Sequence, residues 1–193
     1  KQQLDVVISI DTSTPKVIIE SALLGAGLIN DVRALQRDGA LAAAAATGLP
    51  ICLMHMQGQP NTMQHQPSYQ QVVLEVLAFL QQRAEVCIAA GIARQHIIFD
   101  PGFGFGKSLA HNYELLSAVS QFVETGYPVL AGMSRKSMIG QLLNRDVAER
   151  LAGSIACATI AVMKGAQIIR VHDIKETADA IKIAQATKFG VNA

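Results

Sequence analysis

Six times along the 193-residue chain, a short apolar run ends in a polar or charged residue and gives way to a stretch with helical spacing. The runs are DVVISID ending at Asp11, GLIND ending in Asn30 and Asp31, and PICLMHM ending at Met56. They continue with HIIFD ending at Asp100, YPVLAGMSRK ending in Ser134 to Lys136, and IIRVHD with Arg170, His172 and Asp173. Apolar runs of this length, rich in Val and Ile and alternating with helices, predict buried parallel strands. Ligands of such sheets bind outside the carboxyl ends of the strands, and the polar residues fall there.

The intervening spacing predicts the helices. The first is capped by Ser13 or Thr14, carries Pro15 in its first turn, buries Val17, Ile18, Leu23 and Leu24, and ends at Gly25 and Gly27. A second begins near Asp38 and runs through the alanines of 42–46 to Gly48. Further helices are expected over about 70–90, 109–124, from Ser137, over 148–164 and over 174–188. The polar stretch QGQPNTMQHQPSYQ after the third strand exceeds an ordinary connection and is expected to be a functional or mobile loop. No linker or composition shift divides the chain, so residues 1–193 read as one domain. Six βα units fit either an open doubly wound sheet or part of an eight-unit barrel.

Composition narrows the function. Half of the residues are hydrophobic and 16% are charged, which supports a heavily buried core. A net charge of +1 argues against nucleic-acid wrapping or a polybasic membrane surface, and few aromatics argue against a base-stacking platform. The small-residue stretch 151–163 is too short and too rich in Ala, Gly, Ser and Thr to span a bilayer, and is expected to pack on a helix or a second subunit. Cys52, Cys87 and Cys157 lack metal-ligand spacing and are expected to be reduced buried thiols of a cytoplasmic protein. The chain begins at Lys1, its first strand starts within a few residues, and no signal peptide is visible; the expectation is a fragment.

Three segments carry candidate chemistry. In Asp100-Pro-Gly-Phe-Gly-Phe-Gly-Lys107 the alternating glycines let backbone approach a ligand, and the leading carboxylate can accept two parallel N–H bonds from an amidine-like edge such as a pterin's or guanine's. The plain alternative is an aspartate that only caps a turn. Gly132 to Ser137 places two cations and two hydroxyls between a strand and a helix, which suits a carboxylate or phosphate, or is simply a solvated basic turn. Arg170 and His172, two apart on a strand, share a face and could hold a phosphate; the alternative is an ion pair with Asp173. Asp11, Asn30 and Asp31 are single strand-end polar residues that could each cap the next helix, and His55 fits a hydrogen-bonded core position as well as a catalytic one. His65, His96 and His111 are assigned no role.

The segments SIDT, LINDVR, CLMHMQGQPNTMQ, FDPGFGFGKSLAHNYELL, GMSRKSMIG and IIRVHDIKET, in this order, closely resemble the bacterial dihydropteroate synthase family over essentially the whole chain. The resemblance implies a (β/α)8 TIM barrel, of which this chain supplies the six C-terminal βα units as an incomplete, N-terminally truncated barrel. It implies a transferase of folate biosynthesis that condenses 6-hydroxymethyl-7,8-dihydropterin pyrophosphate with p-aminobenzoate to give 7,8-dihydropteroate and pyrophosphate, with sulfonamides as inhibitors. It assigns the pterin to Asp11, Asn30, Met54, Asp100 and Lys136, the p-aminobenzoate to Phe105, Lys136 and Ser137, with Arg135 adjacent, and the pyrophosphate to Arg170 and His172. Asp11, Lys136, Arg170 and His172 are the implied catalytic groups. The implied cofactor is Mg2+, whose family ligand lies in the missing N-terminal units, so no metal ligand is expected in this chain. A cytoplasmic homodimer is implied. The alternatives are a non-catalytic pterin- and pyrophosphate-binding module, because the first two units are absent, and a pterin-dependent methyltransferase, for which the MSRKS segment would have no use.

Overall fold

The computed structural model describes residues 5–58 and 67–191. Most of the expected polar loop, with His65, lies outside the described residues. Six parallel strands alternate with helices: β1 (Ser9–Asp11), α1 (Pro15–Leu23), β2 (Leu28–Asp31), α2 (Ala40–Thr47), β3 (Ile51–Met54) and α3 (Val72–Ala89) form the first half. The second half comprises β4 (Ile97–Asp100), α4 (Leu109–Ser117), α5 (Val119–Val123), β5 (Leu130–Ala131), α6 (Ser137–Leu143), α7 (Leu151–Met163), β6 (Ile168–Ile169) and α8 (Ile174–Phe189).

Strand order follows chain order. β1, β2, β3 and β4 pair in sequence, β5 pairs with β6, and a bridge between Phe99 and Val129 joins the two sheets. A doubly wound sheet reverses its order at a switch point, and none occurs here, which leaves the barrel-type winding of the two sequence alternatives. Because every pairing is parallel, all six strands end on the same side. The register aligns Asp11 with Asn30 and Met54 with Asp100, so the strand-end polar residues stand in neighbouring rows.

The core lies between the sheet and its helices, around Ile29, Ile51, Leu53, Leu80, Phe99, Leu115 and Phe122. Ala40, Ala43 and Ala44 bury one face of α2 with side chains small enough for close approach. Gly48 and Gly91, both at positive φ, close α2 and α3 where the sequence expects them. Ser108 caps α4, accepting from the His111 amide while the His111 ring accepts from the Ser108 amide.

Four expectations are corrected. β1 is an edge strand paired only to β2 among the described residues, and Val6, Val7 and Ile8 ahead of it are exposed rather than buried. α1 buries only Ile18; Val17, Leu23 and Leu24 are exposed because the helix packs chiefly on α2 and turns its remaining apolar residues outward. Neither Ser13 nor Thr14 caps it: Ser13 donates to Asp31, and the Thr14 hydroxyl accepts from Arg37 at 2.9 Å. The helix expected over 109–124 is two, broken at Ala118. The three cysteines are buried and free, and burial pushes their thiols up, Cys87 to about 11, as inert core thiols require. Among the described residues no helix is long and apolar enough to cross a membrane.

Candidate functional site

At the carboxyl ends of the strands, Asp11 is the hub for the first, second and last of them. Its Oδ2 accepts from the Asn30 amide at 3.1 Å and from the Arg170 guanidinium at 3.4 Å. Asn30 is buried, and its Oδ1 has no hydrogen-bond partner among the described residues. A buried carbonyl without a donor is uncommon in folded proteins and marks a place where a ligand donor would be welcome. The neighbouring Asp31 is different. It is fully buried and accepts from Ser13 and from the amides of Arg33 and Leu35 at 2.9 and 3.0 Å, so it organises the turn after β2.

β4 delivers Asp100 to the same side. Its carboxylate is buried and accepts from the Gly102 amide at 2.7 Å. Burial pushes its carboxyl above the usual range, while Lys136, the Gly102 amide, Lys107 and Arg170 pull it back down. Gly102, Gly104 and Gly106 all have positive φ, and a Cβ on Gly102 would collide with the carbonyl oxygen of His55. Only glycine lets this turn lie flat against the end of β3.

Lys136, ahead of α6, reaches across to that turn. Its ammonium donates to the Phe103 carbonyl at 2.6 Å and sits 4.6 Å from the centre of the Phe105 ring. Burial pushes its ammonium down and Asp100 opposes the shift. Ser137 opens α6 on the exposed rim. From β6, Arg170 and His172 face Ser134 and Lys136 across a cavity of about 190 Å³ lined also by Gly132 and Val171. Ser134 accepts from the His172 amide at 3.2 Å and lies 2.9 Å from its Nδ1. The suggested Arg170–Asp173 pair does not form. Asp173 is taken by Arg135 in a two-pronged contact of 2.9 and 2.6 Å, which leaves Arg170 turned to Asp11 and the cavity. Arg135, at positive φ, thereby points away from Lys136 and is a structural residue of the turn.

The site thus brings Asp11, Asn30, Asp100, Lys136, Phe105, Arg170 and His172 to one mouth. Met54 is buried beneath Asp100 but lines a different, larger cavity of about 360 Å³ with Val32, Arg33, Gln36, Arg37, Met56, Gly58 and Phe79. Both cavities carry cations, Arg33 and Arg37 in the larger and Lys136 and Arg170 in the smaller, and only the smaller draws its cations from the ends of two different strands. Two residues lie inside the segments the sequence singles out but take roles it did not assign to them. Ser134 orients His172, and Lys107 is buried with its ammonium against His55 and Phe105. His55 takes the core alternative: burial and Lys107 push its imidazole down to about 3, too low for proton transfer near neutrality. Among the described residues no three His, Cys, Asp or Glu side chains are grouped to cage a cation. Magnesium keeps several waters and takes only one or two protein carboxylates, so it needs no such cage, and no step is assigned to it.

Comparison with known proteins gives these positions a context. A family model described as "Pterin binding enzyme" matches residues 1–172. The dihydropteroate synthase of Escherichia coli K12 is 57% identical over 186 residues, 96% of this chain and 66% of that protein. The Haemophilus influenzae dihydropteroate synthase is 54% identical, covering 97% of this chain and 68% of that protein. A crystal structure of the Yersinia pestis dihydropteroate synthase with a sulfonamide drug complex superposes with a TM-score of 0.95 at 58% identity, covering 97% of this chain and 68% of that one. The chain spans about two thirds of the length of these relatives.

Proposed function

The chain belongs to the pterin binding enzyme family, among its dihydropteroate synthases, and from that premise we propose that its mouth binds a pterin pyrophosphate and joins the pterin to p-aminobenzoate. One observation carries this reading: a buried carboxylate (Asp100), a buried amide with an unpartnered oxygen (Asn30) and a half-buried ammonium (Lys136) stand beside a cation-lined cavity. A pterin presents donors and acceptors along one flat edge, and its pyrophosphate presents the negative charge that such a cavity neutralises.

In this reading Asp100 accepts from the ring N3–H and 2-amino group. Asn30 Oδ1 takes a further ring donor, and Lys136 donates to the ring carbonyl or N5. Arg170 and His172 hold the pyrophosphate. Ser134, which accepts from the His172 amide, also pairs with Nδ1 and so fixes the ring with Nε2 toward the anion. The bond between the pterin methylene and the pyrophosphate oxygen breaks with its electron pair leaving on the phosphate, where Arg170 and His172 stabilise it. Asp11 favours the cationic methylene. The arylamine nitrogen, placed by Phe105, Lys136 and Ser137, attacks that carbon and releases a proton. Sulfonamides, which mimic p-aminobenzoate, compete on the Phe105 side.

The sequential strand order and the contact between the ends of β1 and β6 support reading the domain as six units of a (β/α)8 barrel. A cytoplasmic homodimer packed through the small residues of α7 completes the proposal. The test is product formation from the two substrates, with pterin binding measured in parallel by calorimetry. Binding with turnover supports the transferase, binding without turnover supports a binding module, and no pterin binding rejects the reading.

A further inference from the structure

Lys107 is the last residue of the glycine-rich turn and is almost wholly inaccessible, 4% exposed. Its ammonium lies 2.9 Å from the Phe105 carbonyl, 3.2 Å from the His55 carbonyl and 3.1 Å from His55 Nδ1. All three partners are neutral. A buried cation held by neutral acceptors is costly to desolvate, so its retention calls for a reason beyond local packing. The turn it closes has three glycines at positive φ, so the buried Phe103 ring is its main side-chain anchor and its polar tethers carry the rest. Asn112 accepts from the Gly104 amide at 2.6 Å, and Tyr69 donates to the Gly106 carbonyl at 2.8 Å; these hold the turn from outside. Lys107 alone among these three also bonds the end of β3. With Lys136 on the Phe103 carbonyl, two ammonium groups bracket the segment Phe103–Phe105 from opposite sides.

We propose that Lys107 is a positioning residue for the pterin pocket: its ammonium ties the 100–107 turn to the end of β3 and so sets where Asp100, Phe105 and Lys136 stand. Burial pushes the Lys107 ammonium down to about 7, so it is charged on the acid side of neutrality, where it helps keep Asp100 ionised although the two side chains do not bond. The titratable and charged groups around this pair are His55 on the β3 side, Lys136 ahead of α6, Arg170 after β6, and the Tyr69 hydroxyl on the turn. The inference rests on the pterin reading of the site, and the test separates the two.

The probe is 6-hydroxymethylpterin, followed by its own fluorescence from neutral pH downward, where the acid limb of binding reports protonation of Asp100. Lys107→Met is expected to bind about tenfold more weakly at neutral pH, with its acid limb moved to higher pH because a neighbouring cation is gone. Lys107→Arg keeps the charge and is expected to hold the acid limb at the wild-type position. If Lys107→Met does not fold, Lys107→Gln supplies a neutral donor, and its limb moves the same way. A folded Met or Gln variant with a wild-type acid limb overturns the proposal, whatever its affinity, since a merely structural lysine would leave the limb in place. A wild-type chain that binds no pterin overturns the parent reading and this inference together.

Discussion

Arg170 and Asp11 lie 159 residues apart in the chain and meet at 3.4 Å. Both side chains are about half exposed, so the pair itself adds little stability, within about 1 kcal/mol. Its consequence is geometric. It holds the guanidinium beside the 190 Å³ cavity and orients the carboxylate that Asn30 also bonds.

Arg170→Ala should therefore separate folding from binding. The unfolding free energy is expected to change by less than about 1 kcal/mol, while pyrophosphate affinity falls about ten- to a hundredfold through loss of a charge-assisted contact. Urea melts and pyrophosphate titration calorimetry check the two halves. A variant that binds pyrophosphate like the wild type removes Arg170 from the anion site.

Asp100→Asn is expected to stabilise the unliganded chain near neutral pH while weakening pterin binding by about a hundredfold or more. The sign follows from linkage. The folded-state pKa of Asp100 is raised, so the folded state binds more protons than the unfolded one between the two pKa values, and stability falls as pH rises through that window. Asparagine has no charge to desolvate and can still accept from the Gly102 amide. A lower Tm for the variant at neutral pH would contradict the argument.

His55 gives the opposite pH dependence. Its imidazole is held down to about 3 by burial and by Lys107. The unfolded chain takes up that proton near pH 6.5 and the folded one does not. The stability is whole above about pH 6.5 and is lost as pH falls from there toward 3, by an amount on the order of a few kcal/mol. In His55→Gln, which keeps an acceptor for Lys107 but takes up no proton, the loss between about pH 7.5 and about pH 4.5 should be smaller. Urea unfolding at both pH values measures the difference, and parallel curves would exclude it.

Gly102→Ala should cost at least about 2 kcal/mol, because a Cβ at φ 71° is strained and would strike the His55 carbonyl. The same substitution at Gly91, also at positive φ but with open space around its Cβ, bears the backbone strain alone and should cost less. Equal losses by chemical denaturation would remove the close approach of the turn to β3 as the cause.

Much of this was legible along the chain. The runs ending at Asp31 and Asp100 form strands to their last residue, and the run ending at Met56 forms one as far as Met54, because alternation of apolar runs with glycine-closed helices is a local property of the residues. The strand ends bearing Asp11, Asn30, Asp100 and Arg170 could be listed for the same reason. Other features were not legible. Leu23 and Leu24 carry helical spacing yet are exposed, since periodicity says that a face is apolar without saying what covers it. Nothing next to Lys107 in the sequence marks it as buried; its burial exists because the turn folds back onto β3. Arg135, rather than Arg170, holds Asp173, because the turn before α6 swings its guanidinium there.

From the residues alone came the elements, their parallel sense and the side of the sheet on which ligand groups gather, since these follow from spacing and side-chain type over a few neighbours. Which of those groups touch, and how far each is charged, depended on the curvature of six strands and on the depth of burial. Both are sums over distant parts of the chain: Asp11 finds Arg170 only across the whole domain, and the environment of Asp100 is set by a lysine of its own turn together with a lysine and an arginine from two distant segments.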